Sequence, residues 1–361
     1  MLETLLANLR AVAPDPVSVS ILQPADPFLD TAGEDMRRRI FITETDGGDV
    51  KCLRPEFTIP ICLAHSANGN SGQMARYAYG GTVFRQAREG GSEFQQVGLE
   101  DLGNSDAVLA DASCIADMIS ALDEVKAGDL AITLGDQNLF SLVVENLQLP
   151  KAIAARLTRS FGDEQQVSRL IDLLEAETTV TNGSDEISQM AEEGALEPLV
   201  AHIEQRMEAA NLSPKAGRSP QDIAGRLIEK QRDARFRLDA KHADILRQFL
   251  SLRLPLAKAA DELEEFAKRH EINWGDGLVA FRNRLNALNE RQVSIDAITY
   301  VASLGRSLDY YSGLLFEVHI KGTAIGGGGR YDHLFDHLGV GHHVPAVGFS
   351  IALDRLQEAT S

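Results

Sequence analysis

Strand-like segments near both ends of this 361-residue chain are separated by a long stretch of helical character. From about Pro150 to about Asn289 the sequence is rich in Ala, Leu, Glu and Arg at helical spacing, with breaks near Gly183, at 213–217 and at 274–277. One sheet therefore has to be built from both ends of the chain. We predict a discontinuous core at 1–149 and 290–361 that carries an all-helical insertion domain at 150–289.

The two flanking regions mix helical and strand patterns. Before the helical stretch we predict, in order, a helix at 2–12, strands at 40–45, 50–53, 77–85 and 94–102, a helix at 106–122, a strand at 130–134 and a helix from Asn138. After it we predict strands at 295–302 and 314–320, a glycine run, a short helix and a last helix from Ser350. This pattern is typical of an α+β fold.

Charge and cysteine content exclude several classes of protein. With 35 Lys and Arg against 53 Asp and Glu, the net charge is −18, which would repel a nucleic-acid backbone and argues against tRNA as a partner. Cys52, Cys62 and Cys114 form no CxxC pair, so neither a disulfide framework nor a zinc site is indicated. No apolar run suits a membrane span or signal peptide, and a cytoplasmic location is expected.

Standard phosphate-loop, dinucleotide and zinc-protease motifs are absent from the sequence, so those classes lack support, and we predict no cofactor and no metal. A polar face is nevertheless expected on the strand at 94–102, where Gln96, Gly98 and Glu100 alternate with apolar residues. A glycine between two polar side chains would leave room for a ligand. The alternative is a half-exposed strand with a polar outer face, which this segment alone favours. Thr58 is expected to cap a helix that has Pro60 in its first turn.

Six segments, taken in order, resemble the catalytic core of histidyl-tRNA synthetase. They are LRPEFT (53–58), YGGTVFR (79–85), FQQVGLE (94–100), GRSLDYYSG (305–313), GGGRYD (327–332) and AVGFSIALDR (346–355). The resemblance covers roughly 20–140 and 290–361. It implies a class II aminoacyl-tRNA synthetase fold, in which an antiparallel sheet is flanked by helices.

The resemblance also implies a histidine pocket. Glu56, Thr58 and Gln96 match positions that hold the α-amino group, and Glu100 and Tyr311 match those that read the imidazole. The full implied histidine-binding set is Glu56, Thr58, Arg85, Gln96, Glu100, Arg306, Tyr310, Tyr311 and Tyr331. Arg85 and Arg355 resemble the two arginines that grip ATP in the synthetase, which implies a vestigial nucleotide site.

Several departures from the synthetase pattern argue against aminoacylation. The loop that covers ATP is reduced to 86–93, and Phe57 and Ser307 stand where synthetases usually have glycine. LRPEFT is the form typical of ATP phosphoribosyltransferase regulatory subunits. The chain ends six residues after Arg355, so no C-terminal anticodon-binding domain is expected.

Taken together, the resemblance implies a non-catalytic regulatory subunit of ATP phosphoribosyltransferase, the first enzyme of histidine biosynthesis. Its expected partner is a short catalytic subunit, which needs it for activity and histidine feedback, and its expected ligand is L-histidine. We expect a homodimer within a hetero-oligomer, with neither tRNA nor a membrane as partner. The alternative is a compact ligase that adenylates histidine or another amino acid for an acceptor other than tRNA; Arg85, Arg306 and Arg355 favour it. A binding protein with an unrelated ligand is a third possibility.

Overall fold

A large mixed sheet forms the centre of the molecule, and a small sheet lies beside it. The computed structural model describes residues 1–31, 34–67, 72–86, 91–176, 186–209, 219–305, 311–341 and 343–361. The strands in these ranges are β1 (Leu22–Pro24), β2 (Ile42–Glu44), β3 (Val50–Leu53), β4 (Ala75–Phe84), β5 (Glu93–Leu102), β6 (Ala131–Asp136), β7 (Arg253–Pro255), β8 (Ile298–Val301), β9 (Leu314–Ile320), β10 (Thr323–Arg330) and β11 (Ala346–Ala352).

Helices surround the sheets. In the described residues they are α1 (Leu2–Val12), α2 (Asp26–Thr31), α3 (Glu34–Arg37), α4 (Thr58–Ala67), α5 (Ala107–Glu124), α6 (Gln137–Asn146), α7 (Lys151–Ser160), α8 (Glu164–Glu175), α9 (Glu186–Glu193), α10 (Leu196–Ala209), α11 (Pro220–Arg235), α12 (Ala240–Leu250), α13 (Leu256–His270), α14 (Gly277–Glu290), α15 (Leu334–His337) and α16 (Leu353–Thr360), with a 3₁₀ turn at Ile295–Ala297. Among them, none combines the length and apolar content needed to cross a bilayer.

The order of strands in the large sheet is β4-β5-β11-β10-β9-β6-β8-β7, and β1, β3 and β2 form the small sheet. Every pair in the large sheet is antiparallel except β6 with β8. Strand β5, from the first third of the chain, pairs with β11 from its end. The prediction that one sheet is built from both ends of the chain is confirmed.

The two faces of the large sheet have different cores. Val97 and Leu99 of β5 point to the face covered by α1, α5 and α16. Tyr77 and Tyr79 of β4 lie on the opposite face and pack in the cluster that includes α4 and α15. Alternation along each strand produces this division, because successive side chains point to opposite faces.

Three predicted elements are wrong in detail. The strand predicted at 295–302 is limited to β8, because 295–297 form a 3₁₀ turn. Residues 346–352 form β11, and the last helix begins at Leu353 rather than Ser350. This segment pairs with β5 on one side and β10 on the other, so its backbone groups are satisfied as a strand. The short strand β7 interrupts the stretch predicted to be helical and pairs with β8 at the sheet edge.

The helices between 150 and 290 pack in two groups. Helices α7, α8, α12, α13 and α14 contribute buried residues to the main core, where Phe140 and Phe161 stack with ring centres 4.7 Å apart. Helices α9, α10 and α11 enclose a separate cluster of Ala191, Leu199 and Ile203. The boundaries of an insertion domain at 150–289 stay a prediction.

A buried network of ion pairs joins α14 to the rest of the core. Arg284 of α14 donates to Asp111 of α5 (Nε–Oδ2, 2.7 Å) and to Asp136 at the end of β6 (Nη1–Oδ2, 3.0 Å). Arg330 of β10 binds the other oxygen of Asp111 (Nη2–Oδ1, 2.6 Å) and also Asp332 (2.9 Å). Because Asp111 is fully buried, both of its oxygens need these partners.

Candidate functional site

Glu100 lies on β5, the second strand from one edge of the large sheet, on the face that carries Gln96. It is opposite Gly348 of β11 in the strand register. A Cβ at Gly348 would collide with the Glu100 carboxylate, so glycine at this position makes room for the acid. The carboxylate is 1% exposed.

The space beside Gly98 is occupied by the protein itself. Tyr79 is opposite Gly98 in the β4–β5 pair, and its hydroxyl donates to the Phe349 carbonyl (3.1 Å). A Cβ at Gly98 would meet both the Tyr79 ring and that carbonyl. The expectation that Gly98 leaves room for a ligand is therefore wrong, because the phenol of Tyr79 fills that room.

Both carboxylate oxygens of Glu100 accept hydrogen bonds. Thr58 donates its hydroxyl to Oε1 (2.7 Å), and the Tyr331 hydroxyl donates to Oε2. Burial, with a smaller effect from the negative charge of Glu56, raises the pKa of Glu100 to about 8, although the hydrogen bonds from Tyr331 and Thr58 oppose this rise. The Tyr79 hydroxyl also interacts with this carboxylate, each of whose oxygens can accept more than one donor.

Glu56 caps helix α4, a role that we expected from Thr58. Its two oxygens accept the backbone N–H groups of Thr58 (2.5 Å) and Ile59 (3.0 Å). The Thr58 hydroxyl is thereby free to bind Glu100, and the prediction of a Thr58 cap is wrong. Burial raises the pKa of Glu56, opposed by the two N–H groups and by the charge of Arg85.

Arg85 lies on the Glu56 side of the pocket. Its Nε donates to the Pro55 carbonyl (2.8 Å), and its guanidinium lies 5.0 Å from the centre of the Phe94 ring. Tyr311 and Tyr331 meet edge to face, with ring centres 6.5 Å apart. Gln96 is buried, and its Oε1 accepts no hydrogen bond from the described part of the chain.

The structure thus brings together most of the predicted histidine-binding residues that it describes: Glu56, Thr58, Arg85, Glu100, Tyr311 and Tyr331. Gln96 shares their face of the sheet. Arg306 and Tyr310 lie outside the described residues. Arg355 is exposed on α16 and donates to the Ala324 carbonyl (3.4 Å).

Two aromatic residues of the site were not predicted. Phe57 stacks on Tyr79 with ring centres 4.7 Å apart, and the Arg54 guanidinium lies over the Phe57 ring, 4.2 Å from its centre. Phe57 lies between Glu56 and Thr58 in the sequence, so its place in the site could have been predicted from these two neighbours. Tyr79 could have been found only from the β4–β5 register.

Two buried carboxylates in one pocket suit a ligand that carries positive charge and hydrogen-bond donors. Such a ligand favours the ionised forms of Glu56 and Glu100, which burial disfavours. Gln96 offers a further acceptor. Within the described residues, no group of three or more His, Cys, Asp or Glu side chains is arranged to hold a metal ion.

Comparison with known proteins gives one consistent result. The family profile described as histidyl-tRNA synthetase matches residues 1–356. A curated ATP phosphoribosyltransferase regulatory subunit from Allorhizobium ampelinum is 46% identical over 346 residues, 95% of this chain and 93% of that protein. Another regulatory subunit, from Sinorhizobium fredii, is 45% identical over 361 residues, which cover 98% of this chain and 95% of that protein.

Solved structures agree on the fold. The crystal structure of an ATP phosphoribosyltransferase regulatory subunit/histidyl-tRNA synthetase from Bacillus halodurans covers 99% of this chain and 78% of its own, with a TM-score of 0.67 at 21% identity. The match to histidyl-tRNA synthetase from Nostoc sp. covers 99% of this chain and 70% of that protein, with a TM-score of 0.65 at 16% identity. The predicted α+β fold of the class II synthetase type is confirmed.

Proposed function

Because this chain belongs to the family of ATP phosphoribosyltransferase regulatory subunits, which carry the histidyl-tRNA synthetase domain, we propose that it activates a short-form catalytic subunit of that enzyme and conveys histidine feedback to it. It is the regulatory subunit of an ATP phosphoribosyltransferase, which acts in histidine biosynthesis. The observation that carries this conclusion is the match to the curated regulatory subunits along 95% of the chain. We expect the assembly in the cytoplasm.

The pocket around Glu100 is the proposed histidine sensor. The α-amino group of histidine would lie between Glu56 and Gln96, and the imidazole would donate to Glu100 beside Tyr311. Three features support this proposal: both carboxylates are buried, the Gln96 Oε1 needs a donor, and the tyrosines form an apolar wall. Arg306 and Tyr310 are proposed as the remaining part of the pocket.

Loss of adenylation is part of the same proposal. The two arginines that resemble the ATP-gripping pair of synthetases have intrachain roles here, since Arg85 binds the Pro55 carbonyl and Arg355 the Ala324 carbonyl. A histidine-bound pocket without ATP chemistry can still act as a switch. By linkage, histidine shifts the complex towards the assembly state that binds it more tightly.

The test is titration of L-histidine into the reconstituted complex of this chain with a short catalytic subunit. Phosphoribosyl transfer should fall as histidine rises with the wild-type chain, and a Glu100→Gln chain should need at least about tenfold more histidine because the charged acceptor is lost. Exposed Glu358→Gln on α16 is the matched control. Equal inhibition of all three complexes would contradict the pocket assignment.

A further inference from the structure

A cleft rich in arginine lies between α7 and α8, away from the pocket around Glu100. Arg156 and Arg159 come from α7, one turn apart on one helix face. Arg169 projects from α8, together with Leu170 and Leu173. The cleft has a volume of about 380 Å³, at the lower end of the range for pockets that enclose small ligands. It is an open groove between two consecutive helices, whose three arginines are exposed.

The three arginines have no carboxylate partner among the described residues. No described Asp or Glu oxygen lies within 4.0 Å of Arg156, Arg159 or Arg169, although the chain carries a net charge of −18. Arg247 of α12 shows the contrast, because it binds two carboxylates of α8 at 2.7 Å each.

In its last turns, helix α8 turns opposite charges to different neighbours. Two of its three carboxylates, those of Asp172 and Glu175, turn towards α12, where Arg247 binds them. Arg169 turns towards α7 and lines the cleft with Gln166 and Leu173. The cleft is therefore a local positive surface on an acidic protein, and its cations are available to an external anion.

The surroundings of the cleft favour an acidic protein segment over a free phosphate. Phosphate commonly binds the free N–H groups at a helix N-terminus, but at the start of α8 the Asp163 carboxylate already accepts the Gln166 N–H (2.9 Å). Leu173 is 56% exposed beside the arginines, and Leu170 forms a buried floor. Exposed leucine next to arginine suits an amphipathic partner, because an apolar side chain of the partner would cover the leucine while its carboxylates bind the guanidinium groups.

We propose that this arginine cleft docks an acidic, amphipathic segment of the catalytic subunit. Carboxylates of that segment bind Arg156, Arg159 and Arg169, and an apolar side chain covers Leu173. The inference rests on the proposed regulatory function and adds a binding surface to it. Attraction within the cleft would oppose the repulsion that the net charge of this chain exerts on an acidic segment.

The test compares the affinity of four full-length chains for a short-form catalytic subunit by calorimetry, at low and at physiological salt. One is the wild type, and one carries Arg156→Glu, Arg159→Glu and Arg169→Glu. The matched control carries Arg10→Glu, Arg206→Glu and Arg253→Glu, which lie on α1, α10 and β7, are exposed, and change the net charge equally. A fourth chain, Leu173→Ser, tests the apolar contact.

The cleft variant should bind at least about thirtyfold more weakly than wild type, and Leu173→Ser about tenfold, while the control stays within about threefold. Wild-type affinity should fall with salt more steeply than that of the cleft variant. If the cleft variant binds as tightly as wild type, or if the control is weakened equally, the proposal that the cleft docks the catalytic subunit is refuted. If inorganic phosphate raises the wild-type Tm but not the variant's while subunit affinity is equal, the site binds a small anion instead. Failure of the wild-type chain to bind would reject the regulatory function itself.

Discussion

Glu100→Gln should change the way stability depends on pH. In the folded chain the pKa of Glu100 is raised by burial from 4.5 to about 8, so the folded state holds a proton that the unfolded chain releases. The contribution of Glu100 to the free energy of unfolding is therefore fully present below pH 4.5. It is lost as pH rises towards 8, at up to about 1.4 kcal/mol per pH unit. Between about pH 5 and about pH 7.5 this amounts to about 3 kcal/mol.

Glutamine keeps an acceptor for the Thr58 hydroxyl and cannot ionise. The free energy of unfolding of the variant should therefore gain about 3 kcal/mol relative to wild type over the same interval. Urea unfolding followed by circular dichroism at several pH values measures this difference. Glu358→Gln, exposed on α16, is the control and should follow the wild-type curve. Parallel curves for wild type and Glu100→Gln would refute the reasoning.

Three further predictions concern the core, the sheet and the chemistry. Arg284→Met should lower the free energy of unfolding by about 3–5 kcal/mol, because it leaves Asp136 buried without its guanidinium partner; a urea midpoint within error of an Arg253→Met control would contradict this. Gly348→Ala should displace Glu100 and abolish histidine binding in calorimetry, since a Cβ there collides with the carboxylate; wild-type affinity would disprove the contact. Histidine-dependent ATP–pyrophosphate exchange should not exceed a blank without protein, and robust exchange would restore the ligase alternative.

Strong local patterns predicted much of the fold. Strands β3 and β9 and helix α1 have the bounds predicted from alternation and from helical spacing. The short strand β7 could not be predicted, because three residues are too few to show a period. Strand β11 was predicted partly as helix because its identity depends on pairing with β5 and β10. Such pairing is a tertiary property that local sequence does not encode.

The candidate site was also predicted only in part: the residues were identified, but their contacts were not. Resemblance to a known family identified Glu56, Thr58, Glu100 and Tyr331, which the structure brings together. The bonds among them were not predictable, because Thr58 and Glu100 are 42 positions apart and their contact depends on the packing of α4 against β5. Local reasoning assigned the cap of α4 to Thr58, whereas the nearby Glu56 carboxylate takes that role.

The buried ion network was also beyond the reach of sequence reasoning. Arg284 is separated from Asp111 by 173 positions and from Asp136 by 148. The network continues through Arg330 to Asp332, the two neighbours of Tyr331, whose hydroxyl binds Glu100. It therefore connects helix α14 physically to a wall of the proposed histidine pocket.

The central claim is that this chain regulates an ATP phosphoribosyltransferase. The most direct test measures phosphoribosyl transfer by a short catalytic subunit from the same organism, with and without this chain, alongside size-exclusion chromatography of the mixture. The account predicts strong activation and co-elution of the two proteins. A folded chain that neither co-elutes with the catalytic subunit nor changes its rate would contradict it.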